Sequence, residues 1–395
     1  MRNLYLLGEI RCVSPIAIGS GVGELTDRDV LLDPQGSPFI PGATLAGVFR
    51  HFLAALDQGA FNAAVNDLFG AFSDEDGESR ITFYDAFAEG SFRRTFRDGV
   101  RIGDDGTAED TGKFDYEVVE PTDEKSFFRF RVLVEDCTET DVVLLKKAVA
   151  AVNAGLIRVG FKTNRGLGKL SLTGVCQKEV TDAAAWIGFT WDQVTDSFAA
   201  DDAPEGETFT YTFENTAFLT VANNATLLCK SDGGFINAEP VKNAHENAVI
   251  PGASWAGVFR HHFRRILRRA DYFHGDEKAL DAFLDRLFGS TEFASRLVFD
   301  ESELHGALLM QQTRNAVDRF TGGASDKKLF TNQLAYGGSL TLRITLRPGL
   351  PEETAALARE LIALTVADLN DGALNVGAMG GVGGGILRLK QEESI

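Results

Sequence analysis

The chain has 395 residues, 44% of them hydrophobic and 24% charged, which is ordinary globular composition and excludes low-complexity and collagen-like chains. At ~150 residues per domain, two to three domains are expected. Net charge is −18, from 57 acids against 39 bases, so any nucleic-acid surface has to be local rather than a property of the whole molecule.

No apolar run reaches the ~20 residues of a membrane helix, and the first residues lack the pattern of a secretory signal. Cys12, Cys137, Cys176 and Cys229 are too widely spaced for C-x-x-C metal pairs. A reducing cytoplasm is the expected location, with no membrane partner.

In chain order, aromatic and β-branched residues predict a first strand over 5–13. A polar, Gly-containing loop follows, and then a helix with Pro41 in its first turn, where a missing N–H costs nothing. Its apolar stripe is Leu45, Val48, Phe49, Phe52 and Leu53. Next come a short strand near 81–84, a long polar excursion over 92–113, a strand over 126–134 and a helix over 140–156. A Gly-rich loop and a last strand complete the series. Residues 182–200 read as a helix carrying Trp186 and Trp191, ahead of the acidic run Asp201-Asp202-Ala203-Pro204-Glu205-Gly206-Glu207.

The series then repeats. Phe39-Ile40-Pro41-Gly42-Ala43-Thr44-Leu45-Ala46-Gly47-Val48-Phe49-Arg50-His51 returns as Val249-Ile250-Pro251-Gly252-Ala253-Ser254-Trp255-Ala256-Gly257-Val258-Phe259-Arg260-His261, offset by 210. Leu68-Phe69-Gly70, Ser79-Arg80-Ile81 and residues 155–170 return at offsets of 219, 216 and 217. Four blocks in one order mark a tandem duplication of a ~180-residue unit. The expected organisation is a first domain over 1–178, a linker over 179–207 and a second domain over 208–395. Each has the order β-α-β-β-α-β, an α+β, modified ferredoxin-like (RRM-like) unit.

Several local features suit RNA. Gly155, Gly160, Gly166 and Gly168 match Gly372, Gly377, Gly383 and Gly385 at identical spacing, so the backbone turns with positive φ or is closely approached at the same places in both halves. Successive N–H groups there can hold a phosphate, with Lys162, Arg165 and Lys169 adding charge in the first copy. The second copy has Met379, Val382 and Ile386, and tight structural turns are the alternative. Neither loop has the spacing of a P-loop or dinucleotide motif. Arg50 and Arg260 lie off the apolar stripe of their helices, and Arg264, Arg265, Arg268 and Arg269 follow the second.

The Ile-Pro-Gly helix start, the Ser-Arg-hydrophobic strand, the central excursion and the Gly-rich loop together resemble the RAMP superfamily, and most closely the backbone subunits of type III CRISPR effector complexes of the Csm and Cmr group. The resemblance covers both halves. It implies two adjacent backbone positions on a CRISPR guide RNA, a target RNA paired to that guide, and contacts with other RAMP-type and small subunits.

The resemblance also implies that each excursion is a thumb-like insertion whose apolar tip, from Val100 and Ile102 or Val317 and Phe320, wedges into the guide–target duplex. Arg97 and Arg101, or Arg314 and Arg319, would flank it. Counting back from Ile-Pro-Gly, Asp27 stands where the family carries an Asp linked to metal-dependent cleavage of target RNA, with Asp29 as alternative and Mg²⁺ or another divalent ion as cofactor. Asn237 stands at the matching place of the second copy, so the second half is expected not to cut unless Glu239 or Asp232 substitutes. Two other readings are a purely structural backbone subunit and a stand-alone nuclease for CRISPR precursor RNA, which would draw on His51 or His261.

Overall fold

The computed structural model describes residues 2–390 except 22, 24–25, 57–61, 71–76, 104–107, 202–205, 224–229 and 232–233. Asp232 and Cys229 lie outside the described residues, as does the side chain of Arg101.

The first half contains β1 (Asn3–Cys12), α1 (Gly42–Leu56), α2 (Asn62–Phe69), β2 (Ile81–Phe83), β3 (Phe92–Ile102), β4 (Ala108–Pro121), β5 (Phe127–Val134), α3 (Glu139–Asn153) and β6 (Leu170–Val180). The second contains β7 (Glu207–Asn215), α4 (Gly252–Arg269), α5 (Glu277–Phe288), β8 (Leu297–Phe299), β9 (Leu308–Val317), β10 (Ala324–Tyr336), β11 (Ser339–Leu346), α6 (Glu352–Asn370) and β12 (Leu387–Leu389). The sheets run β2-β5-β1-β6 and β8-β11-β7-β12, all antiparallel. This is the ferredoxin-like order, made twice.

Alternation builds these sheets. Along β5 every second residue is buried, and Phe128 and Phe130 lie wholly inside, each stabilising by roughly 2–3 kcal/mol. Phe49 of α1 meets Phe83 and Phe130 with ring centroids 5.0 and 6.3 Å away. The Pro-Gly start of both first helices has a steric cause: a Cβ on Gly42 would lie 2.0 Å from the Phe83 carbonyl oxygen, and one on Gly252 2.2 Å from that of Phe299. Only glycine lets the helix end sit on its strand. α3 opens with a capping box, in which Thr138 and Asp141 exchange side-chain-to-backbone bonds of 3.2 and 2.8 Å.

Two expectations change. The central excursions are not irregular loops but long two-stranded hairpins, β3–β4 and β9–β10, and Phe114, Tyr116 and Val118 carry the alternation that makes β4 a strand. The segment over 182–200 forms the short helix Ala183–Ile187, a single 3₁₀ turn, Trp191–Gln193, and a two-residue strand, Asp196–Ser197, paired with β6. Rather than hanging free, it covers the sheet face of the first half opposite its helices. Phe189 stacks on Tyr5 at 3.7 Å, Trp191 meets Tyr5 and Tyr84 edge-on, and Val194 is buried with Tyr5 and Val180.

The hydrophobic cores of the halves share no residue. Polar contacts join them. Arg97, 1% exposed, pairs with Glu120 of its own hairpin at 2.7 Å and with Glu301 beyond β8. Asp300 accepts from Arg158 at 2.6 Å and from Lys169 at 3.0 Å, and these cations hold its carboxyl below the ordinary Asp range although burial pushes the other way.

Candidate nucleic-acid interface

The loop before α1 is fixed to β4 by paired bonds. Glu117 N donates to the Arg28 carbonyl, and Val30 N donates to the Glu117 carboxylate, both at 3.0 Å. Asp27 and Asp115 bind reciprocally: Asp27 N donates to Asp115 Oδ1 at 2.8 Å, and Asp115 N donates to Asp27 Oδ2 at 3.0 Å. Two carboxylates therefore share one edge of the hairpin. Asp27 Oδ1 and Asp115 Oδ2 carry no hydrogen bond among the described residues. Asp29, the alternative to Asp27, closes its own turn by accepting from Thr26 N and Oγ1 at 2.9 and 2.8 Å. Asp98 faces Asp115 across the ladder, its side chain buried and 3.6 Å from Lys113 Nζ.

The Gly-rich loop of the first half comes to the same hairpin. Lys162, at φ 54°, opens the 3₁₀ turn Thr163–Arg165. Its Nζ lies 3.5 Å from the Tyr116 ring centroid, 4.1 Å from Phe114 and 5.8 Å from Phe161. The Arg28 guanidinium stands 5.3 Å over Phe161. Burial, with Arg165, Arg28 and Arg97 nearby, pushes the Lys162 amine down to about 6.

Hydrogen bonds fix the equivalent places in the second half. Asn237 N donates to the Thr331 carbonyl and Thr331 N to Asn237 Oδ1, both at 2.7 Å, while Gln333 N donates to the Ala238 carbonyl as Glu117 does to Arg28. Asn237 thus stands for Asp27, Ala238 for Arg28 and Thr331 for Asp115. In the ladders Asp98 pairs with Asp115 and Thr313 with Thr331, which makes Gln312 the counterpart of Arg97. Arg314 therefore corresponds to Gly99, two residues beyond the counterpart of Arg97, and its guanidinium stacks over Phe218 at 5.2 Å. Met379, at φ 67°, replaces Lys162, and Val382 replaces Arg165. Glu239 pairs with Lys242 at 2.8 Å rather than joining Asn237.

Of the sequence-selected residues, the structure gathers Asp27, Lys162, Arg165 and the Gly160–Gly168 loop at one hairpin. Arg97 and Lys169 are engaged in the junction described above. The helix arginines lie apart: Arg50 donates to Asn66 at 3.1 Å, and Arg260 and Arg264 pair with Asp285 and Asp281 of α5, both at 2.7 Å. Arg319 is exposed near the β9–β10 turn beside Phe320, and Val317 is exposed too. Gly377, Gly383 and Gly385 keep the positive φ of their first-half counterparts. His51 is exposed on α1. Sequence reasoning missed Asp115, Arg28, Phe114 and Tyr116, whose signal is the alternation Lys113-Phe114-Asp115-Tyr116-Glu117 of a strand crossing the loop.

A family model, the RAMP superfamily, matches residues 9–171 and 186–388. The chain belongs to the RAMP superfamily. Members of that superfamily are CRISPR-associated RNA-binding proteins, and the two matches fall on the two ferredoxin-like halves. No curated protein matches the chain at a significant level. Among the described residues no helix is long and apolar enough to cross a membrane.

Proposed function

We propose that this RAMP protein is a guide-RNA-binding backbone subunit of a type III CRISPR effector complex, occupying two adjacent positions, and that its first domain cuts target RNA while its second does not. The observation that carries this reading is the paired replacement of Asp27 and Asp115 by Asn237 and Thr331 at one backbone place. The charged version offers two hard oxygen donors with one free oxygen each. That donor chemistry fits Mg²⁺, which binds through one or two carboxylates together with substrate phosphate. No group of three His, Cys, Asp or Glu able to hold a metal alone occurs among the described residues, in keeping with a site that RNA completes. Asp27 and Asp115 would hold the ion, which supplies charge neutralisation at the scissile phosphate.

The chain's own residues have separate tasks. Arg28, Arg165 and the N–H groups of the Gly-rich loop engage backbone phosphates. Asp27, exposed on the hairpin edge, orients a ribose 2′-hydroxyl for attack on the adjacent phosphorus, with the 5′-oxygen leaving. Asp115 holds Asp27 in place through the reciprocal bonds.

In a complex assembled with guide RNA, Asp27→Asn removes the carboxylate and keeps the shape found at Asn237. We expect one cut of the target RNA to fall by about 100-fold or more with guide affinity unchanged within twofold. Persistence of every cut in Asp27→Asn combined with Asp29→Asn overturns the catalytic reading and leaves a structural subunit.

A further inference from the structure

Where β2 and β8 begin, the same two backbone bonds recur. In the first half Arg80 N donates to the Leu68 carbonyl and Glu135 N to the Arg80 carbonyl; in the second Arg296 N donates to the Leu287 carbonyl and Arg347 N to the Arg296 carbonyl. These bonds make Arg296 the counterpart of Arg80, Arg286 that of Asp67 and Arg347 that of Glu135. The charges do not match. Arg80 pairs with Asp67 at 2.6 Å and with Asp141 at 3.0 Å. Beside Arg296, Asp67 and Glu135 have both been replaced by arginines, and its guanidinium keeps only a bond from Nη1 to the Pro348 carbonyl at 2.7 Å.

A further arginine arrives from the first half. The side chain of Arg158 is 2% exposed; Nη2 donates to Asp300 at 2.6 Å and Nε to the Gly155 carbonyl at 3.2 Å, while Nη1 is buried without any partner. Such an orphaned donor carries its full desolvation cost. Asp300 is shared with Lys169 at 3.0 Å. The half-buried Arg347 side chain makes no hydrogen bond or ion pair among the described residues, and burial, with Arg158 and Arg296 nearby, pushes its guanidinium down to about 10. Glu207, which faces Leu346 across the ladder, is tied to Arg359 at 2.8 Å. Among the described residues Asp300 is therefore the only carboxylate bonded to any of Arg158, Lys169, Arg296 and Arg347, four cations against one acid.

Buried like charges of this kind are costly unless an anion completes them. Guanidinium forks match phosphate oxygens, and a carboxylate has too few oxygens for three of them. The surplus of positive charge also favours a phosphate monoester, which approaches two negative charges at neutral pH, over a phosphodiester with one. We infer that Arg158, Arg296 and Arg347 form a binding site for a terminal phosphate group, borne by inorganic phosphate, a mononucleotide or the end of an RNA. Arg286, exposed on α5, flanks it. The site is separate from the hairpin and Gly-rich loop residues assigned above to backbone phosphates, and it exists once in the chain, because the acids around Arg80 fill the corresponding place in the first half.

Isothermal titration of the full chain, freed of RNA, with inorganic phosphate at constant ionic strength tests this. The wild type should bind phosphate, and Arg347→Gln should weaken that binding about tenfold or more through the loss of one charge-assisted contact. Arg347→Glu, which installs the residue of the first half, should abolish it and yet raise the urea midpoint in chloride alone, because it supplies the missing carboxylate. A variant more stable than the wild type also shows that the lost binding is not misfolding. AMP and a 5′-phosphorylated oligouridylate identify the source. Displacement of phosphate by the oligonucleotide but not by its 5′-hydroxyl form assigns the site to an RNA end, displacement by AMP alone assigns it to a mononucleotide, and displacement by neither assigns it to inorganic phosphate. A wild type that binds no phosphate overturns the inference. So does equal binding by the wild type and both variants, or an Arg347→Glu midpoint below that of the wild type in chloride.

Discussion

The two hairpin crossings have the same backbone and opposite chemistry. In the first domain Asp27, Asp98 and Asp115 stand beside Arg28, Lys162 and Arg165, with Phe114, Tyr116 and Phe161 around the amine. In the second the corresponding residues are Asn237, Thr313, Thr331, Ala238, Met379 and Val382, and Thr313 and Thr331 hydroxyls simply bond each other at 2.9 Å. A scaffold role needs only the backbone bonds, which both keep. Because the second domain holds its loop with the Asn237 amide and with backbone bonds to Thr331 and Gln333, this fold does not require carboxylates at these places.

The sharpest way to break that comparison is to move the charge. Asn237→Asp with Thr331→Asp rebuilds the carboxylate pair on β10. In the assembled complex a second cut of target RNA is expected, displaced along the target from the first, at a rate about 100-fold or more above that of the unaltered second domain. Sequencing of the cleavage ends reads it directly. No new cut would mean that the pair alone does not define the site.

A second test sets the buried Arg97 against its neutral counterpart. Arg97→Ala leaves Glu120 and Glu301 facing each other without a cation, and burial already raises the Glu120 carboxyl above its ordinary value. Removing one partner of a buried charge cluster costs about 3–5 kcal/mol. Gln312→Ala, at the same place on the second hairpin, should stay within about 0.5 kcal/mol. Urea unfolding of both variants checks this, and equal losses would show that the internal junction owes nothing special to its charges.

Much of this was legible in the residues. The repeated Pro-Gly helices, the alternation of β5 and the spacing of the Gly-rich loops carry the fold, because each answers to a local steric or periodic rule. Counting back from Ile-Pro-Gly pairs Asp27 with Asn237, and both make the same bond to a hairpin strand. Asp115 escaped because its partner lies 88 residues away, a distance over which composition carries no register. Residue type puts Arg97 and Arg314 on the flanks of the two excursions, whereas cross-strand bonds make Gln312, two residues before Arg314, the counterpart of Arg97. The cover over Tyr5 has its trace in β1 itself, where Leu4, Tyr5, Leu6 and Leu7 run without a polar residue; a strand apolar on both faces requires layers on both sides.

The smallest expected effect concerns Lys162. Its folded value lies near 6 against an ordinary 10.5, so between those limits the unfolded chain binds a proton that the folded chain does not. Stability then rises with pH across that window, by up to about 1.4 kcal/mol per unit for one proton, less whatever the faces of Tyr116 and Phe114 return to the charged amine. Lys162→Met installs the residue that the second domain carries at Met379 and deletes the titration. Urea midpoints at pH 6.5, 7.5 and 8.5 should show the variant the more stable at the lowest pH and the wild type catching up as pH rises, with all other titrating groups cancelling in the difference. Parallel curves would mean that the amine keeps its proton among the rings. Lys162 would then be a fixed cation of the phosphate-binding edge, and the first crossing would differ from the second by one more permanent charge.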